Sequence, residues 1–174
     1  MRKKEKKSIN WILIVIILSF VISAFMSVIA EFILPNTFVV INIFLVLIFI
    51  FLGIIFDIIG LAVTTASESV FHSMATKKVK SAKGAIRLIK NKDKVSSFCN
   101  DVIGDICGVI SGSCGIVIAL KIASIFNINA IFVTVLITAV ISSLTIGGKA
   151  VGKGIAIKNA NRVLNNVAKI LSIF

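Results

Sequence analysis

Three aspartates stand out in a chain that is otherwise strongly apolar. Asp101 and Asp105 lie in the stretch Ser96–Gly115, SSFCNDVIGDICGVISGSCG, and Asp57 interrupts the apolar run Phe38–Val63. At three- and four-residue spacing Asp101, Gly104, Asp105, Gly108, Ser111, Gly112 and Gly115 share one side of a helix, while Val102, Ile103, Ile106, Val109, Ile110 and Val117 take the other. Carboxylates on a glycine and serine stripe suit another helix or a water-filled cavity rather than lipid. A carboxylate inside a bilayer costs on the order of 2.5–3.5 kcal/mol, so acids at one depth are expected to share a polar cavity, a cation or a proton.

Composition places these residues in a membrane. The chain has 174 residues, 58% of them hydrophobic, with a mean hydropathy of +1.10, a net charge of +12 and one proline. High apolar content combined with high basic charge is the pattern of an integral α-helical membrane protein, which confines its charge to loops. An all-α polytopic protein of one domain is expected. Cys99, Cys107 and Cys114 all fall in the third span and read as small buried hydrophobes rather than a disulfide framework or a metal site.

The elements follow from the apolar runs. Residues 1–8 form a basic head, and residues 9–34 an N-terminal span with Trp11 at the interface. This run is too long, and continues too far past Val28 and Ala30, to read as a cleaved signal peptide. Pro35 and Asn36 make a turn, and residues 38–64 form the second span. The juxtamembrane segment 66–94 is basic, with Val79, Ala82, Ala85, Ile86 and Ile89 at helical spacing, and predicts amphipathic helices on the membrane surface and a partner for anionic lipid headgroups. Spans at 95–122 and 130–147 flank a turn at Asn127 and Asn129, and residues 151–174 form a basic amphipathic tail. Every Lys and Arg except Lys121 lies in segments 2–7, 77–94 or 149–169, each separated from the next by two spans. Four spans with both termini in the cytoplasm of a cell (inner or plasma) membrane therefore satisfy the positive-inside rule.

Depth gathers the acids. Counting ~1.5 Å per residue from Val95 puts Asp101 about 9 Å and Asp105 about 15 Å into the membrane, and counting back from Thr64 puts Asp57 about 10 Å deep. Gly104, Gly108 and Gly112, with Gly60 on the second span, form small-residue patterns that permit close helix approach. Glu68 and His72, one turn apart, read as an interfacial pair at the cytoplasmic end. Nucleic acid is not an expected partner, because the basic segment lacks interleaved aromatics. Nor is an enzyme expected, since no nucleophile–base pair or metalloprotease spacing is present.

Laid out in this way, the chain from Gly53 to Lys169 resembles the membrane domain of the CorC/CNNM family of magnesium-transport proteins. Thr65-Ala66-Ser67-Glu68-Ser69-Val70-Phe71-His72-Ser73 is similar to the family's S-x-x-E-x-A-x-x-S segment. Val102-Ile103-Gly104-Asp105 stands where the family has L-I-G-N, after Asn91-Lys92-Asp93-Lys94, which resembles its N-P-D-R. Lys153, Ala156, Asn159 and Val163 fit its G-E-x-x-P-K-x-x-A-x-x-N-P-x-x-V. The core of the resemblance, residues 38–150, implies a homodimer that holds a dehydrated Mg²⁺ on oxygen ligands near mid-membrane, with Co²⁺ as a competitor and export or exchange as the activity. Thr65 then stands at a ligand serine and Asp105 at the family asparagine.

Three positions depart from the pattern: Leu61 replaces a serine, Lys149 the acid of the G-E pair, and Gly152 the proline. Mg²⁺ demands near-octahedral oxygen ligands, so the site cannot be an intact copy. The expected metal ligands are Asp101, Asp105, Asp57 and Thr65, with Lys149 and Lys153 among the polar groups at the cytoplasmic end. The cytoplasmic nucleotide-sensing pair of the family does not follow in this sequence, which leaves any nucleotide control to a separate regulatory chain. The alternative is a non-transporting relative that serves as a membrane scaffold or regulatory subunit, with the glycine stripe as its contact face.

Overall fold

The computed structural model describes the backbone of residues 2–172 and the side chains of residues 11–28, 30 and 32–172. Side chains of the basic head lie outside the described residues. The described chain is all-α: α1 (Arg2–Ile33), a 3₁₀ turn (Leu34–Asn36), α2 (Val39–Thr65), α3 (Glu68–Thr76), α4 (Lys80–Lys90), α5 (Lys92–Ser97), a π-helical turn (Phe98–Ile103), α6 (Gly104–Phe126), α7 (Ala130–Lys158) and α8 (Ala160–Leu171). Four stretches are long and apolar enough to cross a bilayer, Trp11–Val28, Val39–Thr65, Lys92–Phe126 and Ala130–Lys158, and the protein is a multi-pass membrane protein.

Two spans differ from their expected bounds. The third begins at Lys92 rather than Val95 and ends at Phe126 rather than Ile122, with the π turn inside it. The fourth does not stop at residue 147 but runs to Lys158, through Gly147, Gly148, Gly152 and Gly154. Each mid-helix glycine costs about 1 kcal/mol relative to alanine in propensity. Packing offsets this at two of them: a Cβ on Gly148 would collide with Ile54, and one on Gly152 would stand 3.0 Å from Ile58 Cγ1. The expected tail 151–174 is therefore the end of α7 followed by a separate α8, broken at Asn159.

The chain divides into two compact units, Met1–Phe51 with Asp105–Thr145, and Leu52–Gly104 with Ile146–Phe174. In the first, Pro35 sits at the start of the 3₁₀ turn that ends α1, and Asn36 Nδ2 donates to Phe32 O at 3.1 Å. Asn42, fully buried, donates its amide to Leu34 O at 3.1 Å and accepts from Thr37 Oγ1. Lys121 Nζ donates to Leu34 O at 2.9 Å and also to Thr37 O. The one cation outside the three basic segments thus serves as a cap on the carbonyls of the α1–α2 turn. Ile106, Ile110, Cys114, Ile118 and Ala119 form the buried side of α6, and a Cβ on Gly115 would collide with Ile141. An apolar cavity of about 210 Å³ lies among Met26, Phe49, Ile110 and Cys114, with nothing in its lining to hold an ion.

In the second unit the amphipathic segments form a small core of their own. Phe71 of α3, Ala85 and Ile89 of α4, and Leu164 and Ala168 of α8 close around Val63 of α2. Lys80, Lys83, Arg87 and Lys90 stay on the exposed side of α4, as its apolar spacing predicts. Ser81 Oγ donates to Asn165 Oδ1 at 2.7 Å, which fixes α4 against α8 with a satisfied polar pair. α3 ends in a Schellman motif, with Lys78 N–H bonded to Ala75 O, Val79 N–H bonded to Met74 O, and Lys78 itself at a φ of 57°. Between α2 and α3 the Ser67 N–H donates to Asn161 Oδ1 at 3.0 Å, which ties the start of α3 to α8.

Candidate functional site

Within the second unit, two elements meet α2 along two of its faces. Ile54 and Ile58 receive Gly148 and Gly152 of α7, and Gly60 receives Asn100 of the π turn so closely that a Cβ there would overlap the amide. At about 100° per residue, Asp57 lies roughly 60° from Ile54 on one side and roughly 60° from Gly60 on the other. Asp57 therefore points into the seam between α7 and the π turn. It is 94% buried, with 6% of its surface exposed, and its Oδ2 has no hydrogen-bond partner.

The register of the neighbouring helix places a second oxygen beside this one. Val63 and Ile59 pack in one cluster with Val95, and Gly60 touches Asn100, so α2 and the α5–α6 helix run in opposite directions. One further turn along each chain sets Asp57 level with Gly104. Asn100 donates to Ser96 Oγ at 3.4 Å, which leaves its Oδ1 turned toward α2, buried and unpartnered. Lys149 enters the same level from α7, with its Nζ 3.6 Å from where a Gly104 Cβ would stand. The seam thus holds two acceptor oxygens without donors and one ammonium not engaged with either. An interior of this kind favours a cation, because buried oxygens left without a donor are costly and a metal ion or an ammonium satisfies them.

The π turn is the element that sequence spacing does not reveal. Its i→i+5 bonds, such as Gly104 N–H to Cys99 O, insert an additional residue into the turn. Positions on either side of it no longer follow one 3.6-residue stripe. Asp101 is consequently exposed, bonded to Ser97 Oγ at 2.8 Å, and Asp105 is exposed on α6. Thr65 is exposed and donates its hydroxyl to Leu61 O at 2.8 Å within its own helix. Among the described residues no three His, Cys, Asp or Glu side chains come together as a metal set. The three aspartates expected to share one cavity are thus not gathered into a cluster, and Asp57 alone among them is buried.

The small residues divide in a similar way. Gly60 provides the expected close approach, whereas a Cβ on Gly104 would make only ordinary contacts at 3.5 and 3.6 Å, and one on Gly108 or Gly112 would meet nothing within 4 Å. Gly115, part of the expected glycine and serine stripe, packs closely on Ile141, and Gly148 and Gly152 are close-packing positions that spacing did not single out. Glu68 Oε1 and His72 Nε2 lie 3.2 Å apart, as their one-turn spacing predicts, and Lys153 is exposed. Cys99, Cys107 and Cys114 are buried, again as expected, and no disulfide joins them. Asn100 was overlooked because an uncharged amide in a polar stretch carries no spacing signal; its pairing with Gly60 depends on the fold. Compared with protein-family models, curated proteins and solved structures, the chain finds no match in any of the three.

Proposed function

We propose that this multi-pass membrane protein binds and moves a divalent cation, with Asp57 and Asn100 as its innermost ligands. The observation that carries the reading is the 94%-buried Asp57 carboxylate, whose unpartnered oxygen shares a helix seam with the unpartnered Asn100 Oδ1. A carboxylate in that position costs on the order of 2.5–3.5 kcal/mol, which a bound cation offsets. The π turn supports the reading further, since single π turns inside α-helices are frequent at functional sites. Asp101, exposed beside Asn100 on the π turn, adds negative charge to the same element. The likeness to the CorC/CNNM membrane domain favours Mg²⁺, with Co²⁺ as competitor and efflux or exchange as the direction of work. The charge distribution favours a cell membrane with the basic ends in the cytoplasm.

Thermal unfolding of the full chain in detergent against a Mg²⁺ series, with Ca²⁺ and Na⁺ at matched ionic strength, tests the reading. A saturable Mg²⁺-specific rise is expected, amounting to about 2.7 kcal/mol at a hundredfold excess over Kd, and Asp57→Asn is expected to remove it. A wild-type protein indifferent to Mg²⁺ would count against the site. A second reading, a scaffold or regulatory subunit that docks a neighbouring helix or a second copy, is favoured by the open face at Gly108 and Gly112. Under it Gly108→Leu abolishes assembly in crosslinking without changing any response to Mg²⁺, and intact assembly would reject it.

A further inference from the structure

We propose that a recess at the junction of α7 and α8 binds an anionic phosphate group, and that a lipid headgroup supplies it. The inference is independent of the cation reading of the Asp57 seam. The recess, of about 310 Å³, is lined by Thr65 and Ser67, at and just beyond the end of α2, and by Lys158, Asn159, Asn161 and Arg162 around the break between α7 and α8. Clefts that hold small molecules begin near this size, at about 300 Å³. Two cations thus line one recess that includes no acid. Neither is engaged elsewhere: among the described residues the side chains of Lys158 and Arg162 make no hydrogen bond or ion pair. Their own helices offer no counter-charge, since no Asp or Glu follows Asp105 in the chain. Glu68, the residue after Ser67, is turned to His72 at 3.2 Å. Asn161 adds a donor, because its Oδ1 accepts the Ser67 N–H and its Nδ2 is left without a partner among the described residues. A guanidinium, an ammonium and an amide around one recess match a phosphate, whose oxygens accept charge-assisted hydrogen bonds and pair with Arg in a bidentate fork. The same two cations disfavour a metal ion, so the surroundings of Thr65 suit an anion rather than the metal expected there.

Position selects lipid as the source of the phosphate. α2 ends at Thr65 and α7 at Lys158, so the recess opens where two spans leave the bilayer, at the level of the headgroups. The charge distribution favours the cytoplasm at this end, where anionic lipid concentrates. Val151 and Ile155, both exposed, share a face of α7 with Lys158 at four- and three-residue spacing, and exposed Ile157 borders the recess itself. Acyl chains lie along that apolar face while the phosphate sits at Lys158 and Arg162. A headgroup held there bridges the α2–α3 turn and the α7–α8 break.

The test uses the full chain in neutral detergent, washed until no lipid phosphorus is measured. Thermal unfolding is followed against dioctanoyl phosphatidylglycerol, dioctanoyl phosphatidylcholine and inorganic phosphate, with chloride holding the ionic strength constant. Wild type is compared with Lys158→Gln/Arg162→Gln and with Lys83→Gln/Arg87→Gln, which removes the same charge from the exposed side of α4. Phosphatidylglycerol is expected to raise Tm saturably in wild type and in the α4 pair. The recess pair is expected to weaken its apparent Kd by about tenfold or more, at an unchanged ligand-free Tm because neither side chain bonds to the protein. Lys158→Arg/Arg162→Lys, which keeps both charges, is expected to retain the response. A saturable response to inorganic phosphate alone, lost only in the recess pair, keeps the phosphate site and overturns its assignment to lipid. Equal losses in the recess and α4 pairs would show charge acting diffusely over the surface and would overturn the site. A wild type indifferent to both phosphates, or one that answers phosphatidylcholine as it does phosphatidylglycerol, would overturn it as well.

Discussion

Replacement of Gly60 by alanine isolates the contact on which the buried seam depends. The added methyl overlaps Asn100 Oδ1 and Cγ, and the amide cannot turn away freely because its nitrogen is held toward Ser96. Overpacking of this kind costs about 1–3 kcal/mol, whereas the change from glycine to alanine inside a helix gains about 1 kcal/mol in propensity. Gly108→Ala in α6 gives the same gain with no steric cost, since nothing lies within 4 Å of the new methyl. The difference between the two variants is therefore the steric cost itself, about 2 kcal/mol, or roughly 4–8 °C in Tm for a chain of this size. Thermal unfolding in detergent, followed by circular dichroism, measures it without added metal. Under the proposed cation reading, Gly60→Ala is also expected to weaken a Mg²⁺ response in the same samples, because Asn100 must leave its place to admit the methyl. Equal stability of the two variants would refute the close approach of α2 to the π turn, and with it the position of Asn100 beside Asp57.

Three further changes probe the rest of the chain. Phe71→Ala empties the centre of the core shared by α3, α4 and α8 and should lower stability by about 3–5 kcal/mol, read as an early loss of protection in hydrogen exchange over α4 and α8. Lys121→Met takes the ammonium from Leu34 O and Thr37 O and is expected to cost about 1–3 kcal/mol in thermal unfolding. Lys78→Gly relieves the left-handed conformation at the end of α3 and should raise stability by about 1 kcal/mol, with no effect on any Mg²⁺ response.

Hydrophobic runs and charge made most of the fold legible, because a bilayer imposes a length on a helix and loops must carry the cations. The four spans follow from the apolar runs, and the amphipathic α4 follows from Val79, Ala82, Ala85, Ile86 and Ile89 with the basic residues between them. Where α7 ends was not legible. Gly147, Gly148 and Lys149 look like a helix terminus by propensity, but Gly148 and Gly152 are the positions that let Ile54 and Ile58 approach, so tertiary packing carries the helix through them. The cluster around Asn42 was legible only as an interruption, since its partners, a backbone carbonyl and Thr37, have no sequence pattern.

The site was half legible for one physical reason, the π turn at Phe98–Ile103. Periodicity assumes 3.6 residues per turn, and on that assumption Asp101, Gly104, Asp105 and Gly108 make a continuous polar stripe. One turn with an additional residue breaks the stripe where it begins, turning Asp101 toward Ser97 and Gly104 toward Lys149. Chemistry that appeared to reside in paired acids then rests on a single buried acid, Asp57, and a neutral amide, Asn100. One acid and one amide make a weaker trap for a divalent ion than three acids would, so under the proposed cation reading replacement of Asn100 by Asp is expected to tighten binding, and an unchanged Mg²⁺ response in that variant would remove Asn100 from the site.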